Sequence, residues 1–289
     1  MSGGIKYHNF NFDTRGRENF PSTRSTDCKI KFQNRIRNVC SVEMTSIELP
    51  NSIMLFSATR GNNSFNITIP GVNDANGNPI TNRTVTINEG NYVALDFETE
   101  VHRALGAAGV NTNETSEDPI QFEISTLTGK ATFTHTGGAN FDLDFNTPST
   151  RSTNWGLGYY MGFREKNLAG ASEYTSAGVI NIIGERYYLL QISPKMNNLV
   201  SAGENGSYPN SNLFTKVVLV GSVFTIVTEN DNNSMNKLLY LDNPITIDEL
   251  EVKLVDFYGD VVDIHECDFS FTLRVAELTH LGMPTLNNY

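Results

Sequence analysis

The densest group of potential metal ligands in the chain is the run of residues 265–268. It contains His265, Glu266, Cys267 and Asp268, and each of these side-chain types binds metal ions in proteins. Because successive residues of a strand point to opposite faces, the four side chains cannot converge on one ion. The sequence therefore predicts a turn that leads into the last strand, and not a metal centre.

Three further segments resemble ligand-binding loops but lack a residue that the chemistry needs. Residues 74–78 (DANGN) and 142–146 (DLDFN) have no bidentate glutamate to close a calcium loop, so only a weak cation site stays open there. Residues 156–162 (GLGYYMG) place the third glycine one position too late for a dinucleotide loop, and no strong helix pattern follows to bind a phosphate. Close packing of the backbone explains these glycines better.

Nucleophilic catalysis has no recognisable motif in the sequence. There is no G-x-S-x-G element, and the five histidines are scattered. The three cysteines, Cys28, Cys40 and Cys267, have no paired spacing, which indicates reduced thiols in a cytosolic setting. We therefore predict no catalytic residue, no cofactor and no bound metal. A hydrolase built from carboxylates that are distant in sequence stays open as one hypothesis.

Length and hydropathy restrict the class of protein. The 289 residues, 39% of them hydrophobic, allow one large domain or two small ones. No apolar run reaches the roughly 18 residues that a membrane-spanning helix needs. No basic-then-apolar leader opens the sequence, so we expect neither a transmembrane segment nor a secretory signal.

Charge is distributed unevenly along the chain. Residues 1–37 contain eight lysines and arginines and three acids, which gives them a net charge of +5. Because the whole chain has a net charge of −11, residues 38–289 have a net charge of −16. An acidic body repels phosphate, so we expect no specific nucleic-acid binding along the main surface. The basic segment is either a solvated terminus, an arm that docks on a partner, or a nucleic-acid contact, and membrane contact stays open. Its candidate partner-binding residues are Arg15, Arg17, Phe20, Arg24, Lys29, Lys31, Arg35 and Arg37.

Most of the chain from residue 29 onward alternates apolar and polar residues, as half-buried antiparallel strands do. Within residues 39–50 the apolar phase changes between Met44 and Ile47, which predicts a β-bulge. Roughly a dozen such short strands occur without a βαβ alternation, which favours an antiparallel sandwich or barrel over a parallel sheet.

One segment has the period of a helix instead. Residues 91–108 place Phe97, Val101 and Leu105 four apart, with Gly90 or Asn91 as the cap and Gly109 as the terminator. The sequence shows no linker composition, so we predict one domain over residues 29–279. An extended basic arm (1–28) precedes it, a tail (280–289) follows it, and the long strandless stretches are loop insertions.

Three groups of residues resemble a known family. They are 35–51 (RIRNVCSVEMTSIELPN), 154–163 (NWGLGYYMGF) and, near the end, 250–256 (LEVKLVD) with 258–259, 262–263 and 268–273 (DFSFTL). Together they are similar to the minor capsid and vertex (penton) proteins of nucleocytoplasmic large DNA viruses, such as chlorella viruses and mimivirus-like giants. The resemblance implies an all-β fold, a single jelly-roll antiparallel β-sandwich, that works as a shell component without an active site.

Two hypotheses of function follow from this resemblance and the residues. The first is a structural protein of an icosahedral capsid, located in the virion and assembled in the host cytoplasm, whose partners are the major capsid protein and other minor capsid proteins. At a vertex such a protein forms a homo-pentamer. The alternative is a carbohydrate- or receptor-binding sandwich of a virion spike, which needs an exposed aromatic platform. Trp155, Tyr159 and Tyr160 are the candidates for that platform, although packing within the fold also explains them.

Overall fold

The computed structural model describes residues 4–111, 118–145, 156–193, 196, 213–230 and 237–279. They belong to two compact units, one formed by Met1–Ile53 with Glu185–Tyr289 and the other by Met54–Gly184. The second unit is therefore inserted, in sequence, between the two parts of the first. Each unit has its own hydrophobic core and is described by itself.

Antiparallel strands are the main regular structure of the described chain. In chain order the elements are β1 (Ile5–Asp13), a short 3-10 turn (Thr14–Gly16), β2 (Asp27–Pro50), β3 (Ser64–Thr68), β4 (Arg83–Thr86), α1 (Ala94–Ala107), β5 (Ile120–Ile124), β6 (Ala131–His135), β7 (Phe141–Asp144), α2 (Leu157–Tyr160), β8 (Asn167–Ala171), β9 (Glu173–Thr175), β10 (Tyr187–Ser193), β11 (Thr215–Val218), β12 (Ile226–Asn230), β13 (Leu238–Val255) and β14 (Ser270–Leu278).

The first unit is one antiparallel sheet with the strand order β1-β14-β2-β13-β10-β11, and β12 pairs with the end of β2. Its strands show the alternation that the sequence predicts. In β14, Phe271, Leu273 and Val275 are buried, whereas Thr272 and Arg274 reach the surface. One face of this strand therefore contributes to the core, where burial of each such side chain stabilises the fold by about 1.5–3 kcal/mol.

Strand β2 bends near Asn38, where its register with β13 is interrupted. Its second half pairs with β14, in which Phe271 lies opposite both Ile47 of β2 and Phe12 of β1. The Phe12 ring nevertheless contacts Phe32 in the first half of β2, with 5.3 Å between ring centroids. Phe32 precedes Ile47 by fifteen residues, so this contact requires β2 to cross over the sheet. Asn38 has a φ of 52°, a left-handed conformation that asparagine tolerates.

The second unit packs two antiparallel sheets and a helix around a separate core. One sheet has the order β4-β3-β7-β8 and the other β5-β6-β9. Helix α1 buries Phe97, Val101 and Leu105, the residues whose spacing predicts it. The Phe97 ring contacts Phe56 at 5.2 Å and Phe122 at 6.0 Å between centroids, so the helix is held by aromatic packing. Neither described helix is long and apolar enough to cross a membrane.

Helix α1 is shorter at its start than the predicted span 91–108. The Asn91 side chain accepts a hydrogen bond from the Leu55 N–H at 2.9 Å and does not cap the helix. Val93 holds the N-cap position without a side-chain bond. Gly109, with a φ of 71°, follows the last turn as predicted.

The predicted fold class is confirmed in the described residues. The fold is all-β and antiparallel with one substantial helix, and it is consistent with a jelly-roll β-sandwich with long loop insertions. Much of the predicted arm 1–28 is built into the sheet, because Ile5–Asp13 form β1 and Asp27 begins β2. The boundaries 1–28 and 29–279 stay a prediction, and the predicted tail 280–289 lies outside the described residues.

Candidate protein-docking groove

Lys29 belongs to a ladder of ion pairs between β2 and β13. Its ammonium group lies 2.6 Å from a Glu251 carboxylate oxygen, and Lys253 pairs with Asp27 at 3.2 Å one step along the same two strands. The hydrogen bond between Lys29 and Glu251 lowers the pKa of the glutamate and raises the pKa of the lysine. This part of the basic segment is therefore matched by acids of its own fold.

Arg17 is buried and bonded within the chain. Its Nε donates to the Thr23 carbonyl at 2.7 Å, and its Nη1 donates to the Thr14 carbonyl at 2.8 Å and to the Asp268 carboxylate. The Thr14 hydroxyl donates to the same carboxylate at 2.9 Å. These bonds fix the turn after β1 against the residue that precedes β14, and only 4% of the Arg17 side chain stays exposed.

Three of the predicted basic residues, Arg15, Lys31 and Arg35, come together around one groove. It lies between β1 and the first half of β2 and has a volume of about 830 Å³. The first half of β2 reaches this position because of the bend at Asn38. The structure thus places near one another residues that are up to twenty positions apart in sequence.

The floor of this groove is aromatic. Phe10 and Phe12 alternate along β1, and Phe32 contacts both of them edge to face, at 5.0 and 5.3 Å between ring centroids. Phe12 is buried, whereas Phe10 and Phe32 are half-buried and keep part of their surface open to the groove. Half-exposed aromatic rings in a concave site are typical of places where a second protein packs.

Cations dominate the exposed rim of the groove. The side chains of Arg15, Lys31 and Arg35 are 73%, 59% and 58% exposed, whereas those of Asp13 and Glu277 are 31% and 26% exposed. Arg15 Nε donates to Asp13 at 2.9 Å, and this hydrogen bond holds the pKa of Asp13 below its ordinary value. The acids therefore lie lower in the groove than the cations.

The other predicted partner-binding residues lie outside this groove. The Arg17 guanidinium stacks over the exposed Phe20 ring at 4.5 Å from its centroid. Arg24 and Arg37 are exposed on the first unit. The assignment of the whole set to partner binding stays a prediction, and the structure brings three of its eight members to one site.

The aromatic residues that a spike protein would use for glycans are packed within the second unit. Tyr160 is buried, and its ring contacts Phe56 at 5.5 Å. Tyr159 is half-buried and carries the Arg164 guanidinium 4.8 Å above its ring. Trp155 lies outside the described residues. Two of the three candidates thus serve packing here, and the glycan-binding assignment stays a prediction.

The glycine-rich segment 156–162 serves close packing. A Cβ on Gly158 would lie 2.3 Å from the Phe145 ring, and one on Gly162 would lie 2.3 Å from the Gly178 carbonyl oxygen. A side chain at either position therefore has no space. The structure gives Gly158 and Gly162 a role in close packing.

The described part of the chain holds no cluster of metal ligands, and one of its three thiols is buried. No group of three or more histidine, cysteine, aspartate or glutamate side chains is arranged there to hold an ion. His265 and Glu266 occupy the predicted turn, both with positive φ. Burial raises the pKa of the Cys28 thiol to about 11, which keeps it protonated and unreactive near neutral pH.

Sequence reasoning found the cations of the groove but not its floor. Phe10 and Phe12 are visible as alternate aromatics in the basic segment, and an anchoring role is the natural interpretation of that pattern. Phe32 carries no such signal, because its partner rings lie about twenty residues earlier and meet it only after β2 bends.

Comparison with known structures finds two virophage proteins that are similar to this chain. No protein-family model matches it, and no curated protein is similar to it. The crystal structure of the mavirus penton protein is 11% identical, with a TM-score of 0.48, over 94% of this chain and 99% of that chain. The cryo-EM structure of the Sputnik virophage is 12% identical, with a TM-score of 0.43, over 94% and 97%. Both TM-scores are below 0.5, so the function proposed next rests on the residues of this chain.

Proposed function

We propose that the chain is a structural, non-enzymatic component of an icosahedral viral capsid, as a minor capsid or vertex protein. The observation that carries this proposal is the location of the residues that resemble such proteins. Two of the three groups, 35–51 and 250–273, form β2, β13 and the start of β14, and β2 pairs with both of the other strands. The resembling residues therefore build the central strands of the first unit, as expected of a protein whose fold is its function.

The surface of the first unit supports contacts with neighbouring shell proteins. Besides the groove described above, Ile5, Tyr7 and Tyr240 are more than half exposed and line a second concavity of about 670 Å³. Exposed aromatic and aliphatic side chains in a concave surface are typical of protein interfaces. We propose that the major capsid protein and other minor capsid proteins occupy these surfaces in the virion, after assembly in the host cytoplasm.

The proposal is tested by the composition of purified virus particles. We expect quantitative mass spectrometry to find this chain at a constant ratio to the major capsid protein after washing with detergent and high salt. A non-structural viral protein of similar abundance in infected cells is the matched control, and it should be lost in the washes. Recovery of the chain only in the soluble extract would contradict the proposal.

The oligomeric state of the purified chain separates the two forms of the proposal. A vertex protein surrounds a fivefold axis, so sedimentation should give a closed ring of five copies. A minor protein between capsomers makes heterologous contacts, so the purified chain should be a monomer that binds trimers of the major capsid protein.

A further inference from the structure

We infer that strand β1 accepts an extended acidic segment of a different shell protein as an added β-strand, whose apolar side chains fill the groove floored by Phe10, Phe12 and Phe32. That the partner is a shell protein rests on the proposed function. The strand addition itself rests on the edge, the groove and the charges of the first unit.

Strand β1 is a long edge without the usual protection. It is the outermost strand of the sheet, and its nine residues pair with β14 on one side only in the described structure. Natural edge strands avoid association through shortness, bulges, prolines or charges placed along their length. In β1 the register with β14 is continuous, there is no proline, and the charged side chains Lys6 and Asp13 lie near the two ends.

The backbone of β1 has its free hydrogen-bonding groups at alternate residues. At one end the Thr14 N–H bonds to Phe269, and at the other the Gly4 carbonyl accepts from Thr279, so the even-numbered positions face β14. The alternation of an antiparallel ladder then directs the N–H and C=O groups of the odd-numbered positions to the open side. Those positions include Tyr7, Asn9 and Asn11.

The groove lies where the side chains of an added strand would point. Phe10 and Phe12 project from β1 toward Phe32, so alternate residues of a strand beside β1 would project over the same floor. Apolar residues at those alternate positions would cover the open surfaces of Phe10 and Phe32. Main-chain bonds supply affinity in such strand addition, and the pockets for alternate side chains supply specificity.

Charge determines the chemistry of the partner. Arg15, Lys31 and Arg35 stand at the exposed rim. Arg15 and Lys31 each have an acid of this chain close by, but Arg35 lies 3.9 Å from its nearest acid, Asp248, so Arg35 is the cation most available to an acidic residue on the added strand. A second copy joined edge to edge would add a strand with one lysine and one aspartate, Lys6 and Asp13, and so no excess of acid to match the cations of the rim. A different polypeptide with acidic and apolar residues in alternation fits both the edge and the rim.

The test uses the full-length chain and a fluorescein-labelled, nine-residue peptide of alternating glutamate and valine, matched in length to β1. We expect fluorescence anisotropy to detect binding, and hydrogen exchange to show slower exchange of the Tyr7, Asn9 and Asn11 amides on addition of the peptide. A peptide with lysine in place of glutamate should bind at least about tenfold more weakly, because it meets the cationic rim.

Two pairs of variants separate strand addition from nonspecific attraction. Asn9→Pro removes one outward N–H but no bond to β14, so we expect at least about tenfold weaker binding, whereas Asn9→Thr keeps the N–H and should bind normally. Arg35→Glu should weaken the binding of the acidic peptide and strengthen the binding of the lysine peptide. Arg37→Glu, which changes an exposed arginine outside the groove, is its matched control.

Thermal unfolding first establishes that each variant is folded, and if Asn9→Pro does not fold, the arginine pair decides. No binding of the acidic peptide to the unaltered chain, equal binding to the Arg35→Glu variant, or protection of other strands alone would overturn the inference. Such a result would leave the chain's presence in virus particles unaffected. Conversely, the chain could bind the acidic peptide and yet be absent from virus particles. That result would support strand addition at the groove and overturn the proposed function.

Discussion

At the scale of single residues, burial changes what a basic side chain does. Arg17 and Arg15 are two positions apart in a cationic segment, and sequence alone treats them alike. The structure gives Arg17 three acceptors in the interior, whereas Arg15 remains largely exposed at the rim of the groove. An enclosed guanidinium fixes local conformation, and only an exposed one can attract a partner.

We expect Arg17→Ala to lower the free energy of unfolding by about 3 kcal/mol, because the substitution leaves the Asp268 carboxylate and two carbonyl groups short of their donor. Arg37→Ala removes an exposed arginine of the same segment and should change it by less than about 0.5 kcal/mol. Urea unfolding of the two variants beside the unaltered chain measures both effects. Equal losses in the two variants would contradict the role given to Arg17.

At the scale of elements, β2 has two irregularities, and each coincides with a change in its apolar alternation. The apolar phase change between Met44 and Ile47 predicts a bulge, and the register with β14 does skip Thr45. This prediction is confirmed. The bend near Asn38 also falls at a change of phase, between the buried Ile36 and Val39, but that pattern does not say which strand the bend reaches.

Helix α1 is tied to the chain before it through Glu100. The carboxylate accepts the Asn88 N–H at 2.6 Å and the Arg103 Nε–H at 2.7 Å. Burial raises the pKa of Glu100, but the hydrogen bonds from Arg103 and from the Asn88 backbone outweigh it, so the pKa lies below its ordinary value. The ionised form is therefore the one that the folded state prefers.

The lowered pKa of Glu100 predicts that the stability of the fold depends on pH in the acidic range. A carboxyl group with a lowered pKa stabilises the fold above its unfolded-state pKa, and the stabilisation is lost as the pH falls through the folded-state value. We expect Glu100→Gln to be less stable than the unaltered chain near pH 7, and to lose less stability between about pH 6 and pH 3. Thermal unfolding across this range tests it, with the exposed Glu123→Gln as control. If the stability of the unaltered chain, Glu100→Gln and Glu123→Gln changed with pH in the same way, the role given to Glu100 would be refuted.

At the scale of the whole molecule, the charge asymmetry of the sequence is partly cancelled by the first unit. Lys29 meets Glu251 across β2 and β13, Lys31 meets Glu18 at 2.8 Å, and Arg35 lies 3.9 Å from Asp248. Two of these acids, Glu251 and Asp248, are more than two hundred residues away along the chain from the lysine or arginine that they meet. A site that binds nucleic acid keeps its cations available for phosphate, and here the nearby carboxylates compete for them.

We therefore expect double-stranded DNA to bind the chain only weakly at physiological salt, with a Kd no tighter than the roughly 10⁻⁴ M of nonspecific contacts. Fluorescence anisotropy with a labelled duplex measures this, and a synthetic peptide of residues 1–37 serves as the control. The peptide carries the same eight cations without the acids of β13 and should bind more tightly. Tight binding of the DNA duplex by the folded chain would contradict the conclusion that the paired acids keep these cations from phosphate.

Local patterns in the sequence determine the class of structure, since strand and helix periods are properties of neighbouring residues. The antiparallel all-β fold, the helix buried through Phe97, the bulge at Thr45 and the turn at His265 all follow from such patterns. Tertiary structure alone decides which strands become neighbours. It buries Arg17, matches Lys29 with Glu251, and brings Phe32 over β1, because each of these contacts joins residues whose separation along the chain carries no period.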